Sequence, residues 1–514
     1  MNSAPGDASA MQNMMEGWIT PVTNVSDFIW GGTWNGQEIL PFPPMVIALF
    51  GVGAYIMIGL RFYPLRNLVG AFGGLFRKSK SGAGEISPFA ALSTALSGQV
   101  GTGNLAGVAT AIALGGPGAI FWMWITALIG MALAFAEGAL AIRFREITPE
   151  GHYRGGPMSY ITIGLGPKWK WLAILFCLGT LFSALVTGNG IQANSFADSV
   201  HELTGLEEWV GGLIAAVAVF IVIIGGIKSI GSVAERIVPA MAIAYIIMAV
   251  IALILNIQDI PESIGRIFQG AFNAQAASGG FVGAAMIVAL RAGVARGLFS
   301  NEAGQGSTPI AHAVAQTNDP AMQGRFAMMG TFIDTVIICT MTALVILTVE
   351  GPFSHVDPSG ATVAVKHAWQ SDLSGFAVTS GAFAAAFPVD IAGIPIGTLV
   401  ASVALVLFVF TTLLTWSYYG ERAITYLYDM IPGASARGEQ LLHRVWRVLW
   451  CIVIFLSASV NLELIWRLGD ISNAVMTLPN VLAILLLSGT VFALARGHRT
   501  AGTDHGRETP RELF

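Results

Sequence analysis

Eleven apolar stretches, each near the ~20 residues a helix needs to cross the hydrocarbon of a bilayer, recur along this sequence. They cover 44–62, 88–114, 118–142, 171–197, 209–226, 234–255, 280–305, 324–349, 394–420, 445–462 and 471–494. Inside lipid every backbone N–H and C=O must be paired within the protein, so such runs have to be helical. One large soluble core is excluded by the shortage of charge: 11% of residues are Asp, Glu, Lys or Arg and 54% are hydrophobic, too little charge to coat a water-facing surface. An all-α integral membrane protein with eleven transmembrane helices is predicted. Its net charge of −4, without a basic stripe, argues against a nucleic-acid partner. Cys177, Cys339 and Cys451 each sit in an apolar run and read as small buried side chains rather than a disulfide frame or a metal set.

Residues 1–43 contain no Lys or Arg and no apolar core of a signal peptide, which argues against a cleaved leader. Trp18, Trp30 and Trp34 are rings suited to a membrane–water interface, so this stretch is expected to be an extracytoplasmic amphipathic segment lying on the bilayer. With the N-terminus outside, 21 of the 26 basic residues fall on inner segments. The positive-inside rule therefore orients the chain with its N-terminus out and its C-terminal tail, 495–514, in the cytoplasm. The longest outer segment, 351–392, is expected to form a lid or hairpin.

Two of the apolar stretches are interrupted by residues that make poor helix. The first holds "SGQVGTGN" (97–104) and the second "ARGLFSNEAGQGS" (295–307), with glycines that disfavour a helix by about 1 kcal/mol each relative to alanine and amides that want partners. Setting aside one extra helix and its basic loop (44–87), ten helices divide into 88–256 and 280–494, joined by an extracytoplasmic connection at 257–279. Five helices per half force the halves into opposite orientations, so the two breaks occupy matching places in an inverted repeat. Secondary transporters use such paired breaks to offer backbone groups to substrate and ions near the bilayer midplane. Glycines such as Gly103 and Gly107 would also suit tight helix packing, but packing alone does not explain Gln99, Asn104, Asn301 and Glu302 at the same places.

The stretches "SGQVGTGNLAGVATAIALGGPGAIFWMW" (97–124), "TGNGIQANSFADS" (187–199) and "RGLFSNEAGQGSTPIAHA" (296–313), with "GGPMSYI" (155–161) and "TTLLTWSYYGERA" (411–423), resemble the alanine or glycine:cation symporter family. These are bacterial carriers within the amino acid–polyamine–organocation superfamily. The likeness runs over residues 40–495. It implies a leucine-transporter-like five-plus-five inverted repeat in a bacterial inner membrane, and uptake of alanine or glycine driven by sodium, sometimes by protons.

A zwitterionic small neutral amino acid brings a carboxylate and an ammonium into low dielectric, where neither can be left unpaired. Free N–H groups at the first break suit the carboxylate: Gly101 and Gly103 would let it approach, and Gln99 would add its amide. Carbonyls around Phe299 and Ser300 suit the ammonium. Sodium needs hard oxygen ligands, and the superfamily pattern implies the carbonyls of Ser97 and Val100 with the hydroxyls of Thr411 and Thr412. A second ion position would use Asn104 and Ser300. Trp416, one turn past Thr412, would close the pocket over a small substrate, or else stand in an interfacial belt. Asn189, Gln192 and Asn194 would join the site or stitch helices together. Asp334, near the bilayer middle, would bind a cation, titrate, or pair with Arg291 or Arg296, the last being the favoured role. Glu302 is expected to cap exposed N–H groups at the second break, and Glu137 to act at the inner surface as a gate or ion pair.

An enzyme is not expected: His152, His312 and His443 have no metal-ligand spacing, and neither a nucleophile elbow nor a P-loop is present. Without a nucleotide site, ATP does not drive this chain and an ion gradient must. The alternatives are a proton-coupled carrier of another small neutral amino acid, a channel-like conductor, which would need a polar stripe along several helices, and a membrane sensor, for which no cytoplasmic segment is long enough.

Overall fold

The computed structural model describes residues 19–40, 42–75, 82–148, 151–272, 282–391, 393–460 and 462–497. Trp18, the basic residues Arg77, Lys78 and Lys80, and the tail beyond 497 lie outside the described residues. The principal helices are α1 (Pro44–Gly59), α2 (Pro88–Gln99), α3 (Gly103–Gly115), α4 (Gly118–Arg143), α5 (Pro167–Thr204), α6 (Glu208–Ile223), α7 (Gly226–Leu255) and α8 (Ile260–Phe272). They continue with α9 (Val282–Asn301), α10 (Thr308–His312), α11 (Pro320–Thr348), α12 (Phe376–Ala386), α13 (Ile396–Tyr428), α14 (Ala436–Ser457), α15 (Leu462–Leu486) and α16 (Ser488–Ala495). Among the described residues seven are long and apolar enough to cross a membrane: α4, α5, α7, α11, α13, α14 and α15. The other four expected stretches fall on the shorter α1 and α6, on the interrupted pair α2–α3, and on α9, which ends at the second break.

Local chemistry sets the helix starts. Ser87 accepts the Ala90 N–H at 2.9 Å and Pro88 takes the first turn of α2; Asp319 accepts the Met322 N–H at 3.0 Å ahead of Pro320. Both pairings satisfy N–H groups that a helix start leaves without partners. At the centre stands α4, buried without interruption from Gly130 to Ile142. Small residues allow this: a Cβ on Gly138 would lie 2.7 Å from that of Ala327 in α11. Outward faces carry apolar side chains instead, such as Ile243, Ile247 and Ile254 of α7 and Leu449, Ile452 and Leu456 of α14, as a lipid-facing surface requires.

The 351–391 segment contains the expected hairpin, Phe353–Val356 antiparallel to Thr362–Val365. Beyond it α12 rests on α3, where the Thr379 hydroxyl donates to the Leu105 carbonyl at 3.0 Å. Toward the N-terminus, residues 19–31 are helical. Trp34 is 43% exposed, but Trp30 is buried and its indole N–H donates to the Asp470 carbonyl at 3.0 Å. Trp30 is therefore an anchor into the bundle rather than an interface ring, because a buried indole N–H needs an acceptor and α15 supplies one.

Candidate functional site

The first break is a real interruption. Val100 closes α2 in an extended conformation, φ −77° and ψ 96°, and α3 begins with a π-helical turn, Gly103–Gly107. Side chains take two of the N–H groups expected to be free: Gly101 donates to Asn104 Oδ1 at 2.9 Å, and Thr102 donates to Gln192 Oε1 at 3.1 Å. Amide oxygens thus accept the N–H groups expected to receive a ligand carboxylate. Gly101 is indispensable here, since a Cβ would lie 2.6 Å from the Thr412 hydroxyl.

The second break runs from Glu302 to Ser307, with Glu302, Gly304 and Gly306 at φ 55°, 83° and 90°. Two buried carboxylates hold it. Glu302 accepts the indole N–H of Trp416 at 2.9 Å and the hydroxyl of Ser307, so it binds side-chain donors rather than the backbone N–H groups expected of it. The backbone is capped by Glu137, whose Oε1 accepts the Gly306 N–H at 2.9 Å and the Asn480 amide at 2.7 Å. Glu137 is fully buried and is no surface gate: Arg143 lies six positions on, which sets the two side chains about 120° apart around the helix.

The two breaks meet. The Gln99 amide donates to the Asn301 carbonyl at 2.5 Å, and a Cβ on Gly103 would lie 3.0 Å from Phe299 Cδ1 and 3.2 Å from Ser300 Cα. Asn104 donates to Asp334 Oδ1 at 2.6 Å, while the hydroxyls of Ser300 and Thr335 donate to Oδ2 at 2.7 and 2.8 Å. Both residues expected at the second ion position thus converge on Asp334. Asp334 pairs with neither Arg291 nor Arg296: Arg296 donates through Nη2 alone to both carboxylate oxygens of Asp470, at 2.9 and 2.8 Å. Its place in another π-helical turn, Phe332–Cys339, aims its carboxylate at the first break.

The residues implied for the first ion also lie together, where α2 crosses α13. Ser97 donates to the Thr411 carbonyl at 2.7 Å and Thr412 donates to the Val100 carbonyl at 3.1 Å. The Thr411 hydroxyl faces away, toward Met241 of α7, so Thr411 meets α2 through its main chain. Trp416 is 1% exposed at the second break, with its ring against Gly188, and does not stand in an interfacial belt.

Asn189 is not brought to the site. Its amide donates to the Trp450 carbonyl at 3.0 Å, tying α5 to α14, and Asn194 donates to the Ala458 and Val460 carbonyls at 3.1 Å each in the turn after α14. The π-helical turn Ala184–Gly190 shifts the facing of the residues after it, and of the three amides only Gln192 reaches the break. Sequence reasoning missed Asn473 and Asn480. Seven residues apart in α15, they share a face that meets Ser183 at 2.6 Å, Gln305 at 2.9 Å and Glu137.

Cavities lie toward both ends of α13. One of about 700 Å³ is lined by Thr110, Asp198, Glu202, Trp466 and the Arg296–Asp470 pair; the other, about 270 Å³, is lined by His152, Glu421, Arg422 and His443. The Ser402 hydroxyl donates to Glu202 at 3.2 Å, and at 1.5 Å per residue Ser402 and Glu421 are ~28 Å apart with Thr412 about midway. The cavity wall reaches the first break through two rings: Trp466, with the Arg296 guanidinium 4.8 Å from its centroid, packs on Phe299 with centroids 4.7 Å apart, and Phe299 abuts Gly103.

The model of the sodium:alanine symporter family matches residues 31–510. An uncharacterized transporter of Haemophilus influenzae is 41% identical over 91% of this chain and 93% of its own length. The sodium/alanine symporter AgcS of Methanococcus maripaludis is 39% identical, over 93% of this chain and 96% of its own. A probable sodium/glutamine symporter, GlnT of Bacillus subtilis, is 34% identical over 90% and 89%. The chain is a multi-pass membrane transporter and not an enzyme, and it belongs to the sodium:alanine symporter family.

Proposed function

We propose that this protein takes up alanine or glycine with sodium by alternating access, in a bacterial inner membrane, with its N-terminus outside and its eleven helices arranged as one plus an inverted five-plus-five repeat. Family membership supports the coarser statement, a sodium-coupled symporter of an amino acid. The observation that carries the finer one is the meeting of two interrupted helices, joined by the Gln99 to Asn301 bond, about midway between two cavities.

In this reading the substrate carboxylate replaces Gln192 Oε1 on the Thr102 amide, and the ammonium takes carbonyls at Phe299 and Ser300. The first sodium sits among Ser97, Val100, Thr411 and Thr412. Asp334 is the second cation site, because a carboxylate in the bilayer interior is far too costly to leave without a positive partner, and its three side-chain donors are all neutral. A proton on Asp334 would serve the same electrostatic need, which supports proton coupling as a second reading. Trp416, held by Glu302, limits the pocket to small side chains. Sodium and substrate favour the same closed state, so each raises the affinity for the other.

Radiolabelled alanine uptake into proteoliposomes is expected to need an inward sodium gradient and to be competed by glycine. Uptake that tracks a pH gradient and ignores sodium moves the coupling to protons. Uptake indifferent to both refutes symport.

A further inference from the structure

The segments flanking the two interrupted helices are joined to each other. Residues 82–86 lead into α2, and residues 313–318 come directly after α10. Ile86 forms a parallel bridge with Ala315: Glu85 N–H donates to the Val314 carbonyl at 2.8 Å, and Gln316 N–H to the Ile86 carbonyl at 2.8 Å. The strands touch so closely that a Cβ on Gly82 would lie 2.6 Å from Thr317 Cα, and Gly84 takes φ 146° against the Ala315 carbonyl.

One side chain spans the junction. Arg145, just past the end of α4, donates through Nη1 to the carbonyls of Ala315 at 2.7 Å and Ala313 at 3.3 Å. Through Nη2 it reaches the carbonyls of Ala83 at 3.0 Å and Thr317 at 2.7 Å, and Asn318 Oδ1 at 3.3 Å. Its guanidinium lies 4.7 Å from the Tyr153 ring centroid, and the Tyr153 N–H donates to Glu85 at 2.8 Å. Burial pulls its pKa down to about 10, still well above neutral pH, so the group remains a cation. Every oxygen it grips in these five bonds is neutral. Such a charge does not order one acidic partner; it gathers carbonyls from two strands, for which a planar fork of donors is suited and a lysine ammonium is not.

We propose that Arg145 is a clasp that holds the cytoplasmic entrances of the two interrupted helices together, and that the transport cycle opens the inner path by parting residues 82–86 from 313–318. The inference rests on reading the chain as an alternating-access symporter. Each segment runs into a short helix that ends at a break, so parting the two segments moves α2 and α10 directly. Arg145 is a positioning residue: it touches neither substrate nor ion, and it sets how often the outward-facing state is populated. Weakening it depletes that state, and apparent affinity from outside falls in proportion to the fraction lost.

The test uses the full chain in proteoliposomes. Ile86→Cys with Ala315→Cys places two thiols opposite each other in the bridge. Oxidised, this protein is expected to lose sodium-driven alanine uptake and to regain it on reduction, with each single variant insensitive to oxidant; cross-linked protein that transports like the reduced form overturns the proposal. Arg145→Lys keeps the charge but not the fork. It is expected to raise the KM for external alanine about tenfold while lowering the oxidative cross-linking yield of the Cys pair. An unchanged KM and yield also overturn the clasp. Wild-type protein with no ion-driven uptake would instead refute the functional reading, a distinct result.

Discussion

Asn104 ties the first break to the carboxylate proposed as the second ion position, and Asn104→Ala removes both links at once. The side chain makes two bonds at once: Oδ1 accepts the Gly101 N–H at 2.9 Å, and Nδ2 donates to Asp334 Oδ1 at 2.6 Å. Alanine leaves a buried donor and a buried carboxylate oxygen each short of a partner, a penalty of ~1–3 kcal/mol apiece. With partial relaxation, a loss of about 2–4 kcal/mol corresponds to roughly 30- to 700-fold weaker alanine binding in sodium. Asn104→Asp is the informative companion. It keeps an acceptor for Gly101 but sets a second carboxylate against Asp334, so binding should shift to higher sodium or lower pH rather than simply weaken. Isothermal titration with alanine, over a sodium series and in monodisperse detergent-purified protein, reads both effects. An Asn104→Ala variant that stays folded and binds alanine with wild-type affinity and sodium dependence would show that neither bond matters to the site.

Three further outcomes are expected. Thr412→Val preserves shape but removes the hydroxyl beside the Val100 carbonyl, and should raise the half-saturating sodium concentration about tenfold; an unchanged sodium curve takes Thr412 out of the ion site. Asp470→Asn strands the largely buried Arg296, lowering stability by about 3–5 kcal/mol, and Arg296→Gln added to it should recover most of the melting temperature; additive losses would show that the pair is not coupled. His367 accepts from Arg266 at 2.7 Å and faces the Val349 carbonyl, and burial holds its pKa below the ordinary histidine value. Its contribution to stability is therefore complete above the unfolded pKa of about 6.5 and lost as pH falls through the folded value. The melting temperature of His367→Gln should fall less than wild type between pH 7.5 and 5, and parallel slopes would contradict the assignment.

The two interruptions are legible because glycine and amide residues stand out in an apolar run, and the positions paired across α2 and α13 come from the family likeness. The features that are not legible have identifiable physical causes. Asn104 and Asp334 are 230 residues apart, and no local pattern announces their contact. Asn189 points away from the site because the wide turn ending at Gly190 rotates the helix around it, an effect that 3.6-residue periodicity cannot carry. Arg296 finds Asp470 instead of Asp334, since two candidate acids on different helices can be ranked only once the helices are placed. Glu137 lies within two turns of Arg143, but direction around the helix, not separation along the chain, decides whether two side chains meet.

The wide π-helical turns at Gly103–Gly107, Ala184–Gly190 and Phe332–Cys339 have a consequence of their own. Two of them, Ala184–Gly190 and Phe332–Cys339, have helix on both sides, and each lodges a surplus residue there. A shift of one position swivels the residue it passes by about 100°. Were the surplus residue in Phe332–Cys339 to shift one position, Asp334 would swing with no change in helix length, so the site's carboxylate would turn without its neighbours being pushed aside.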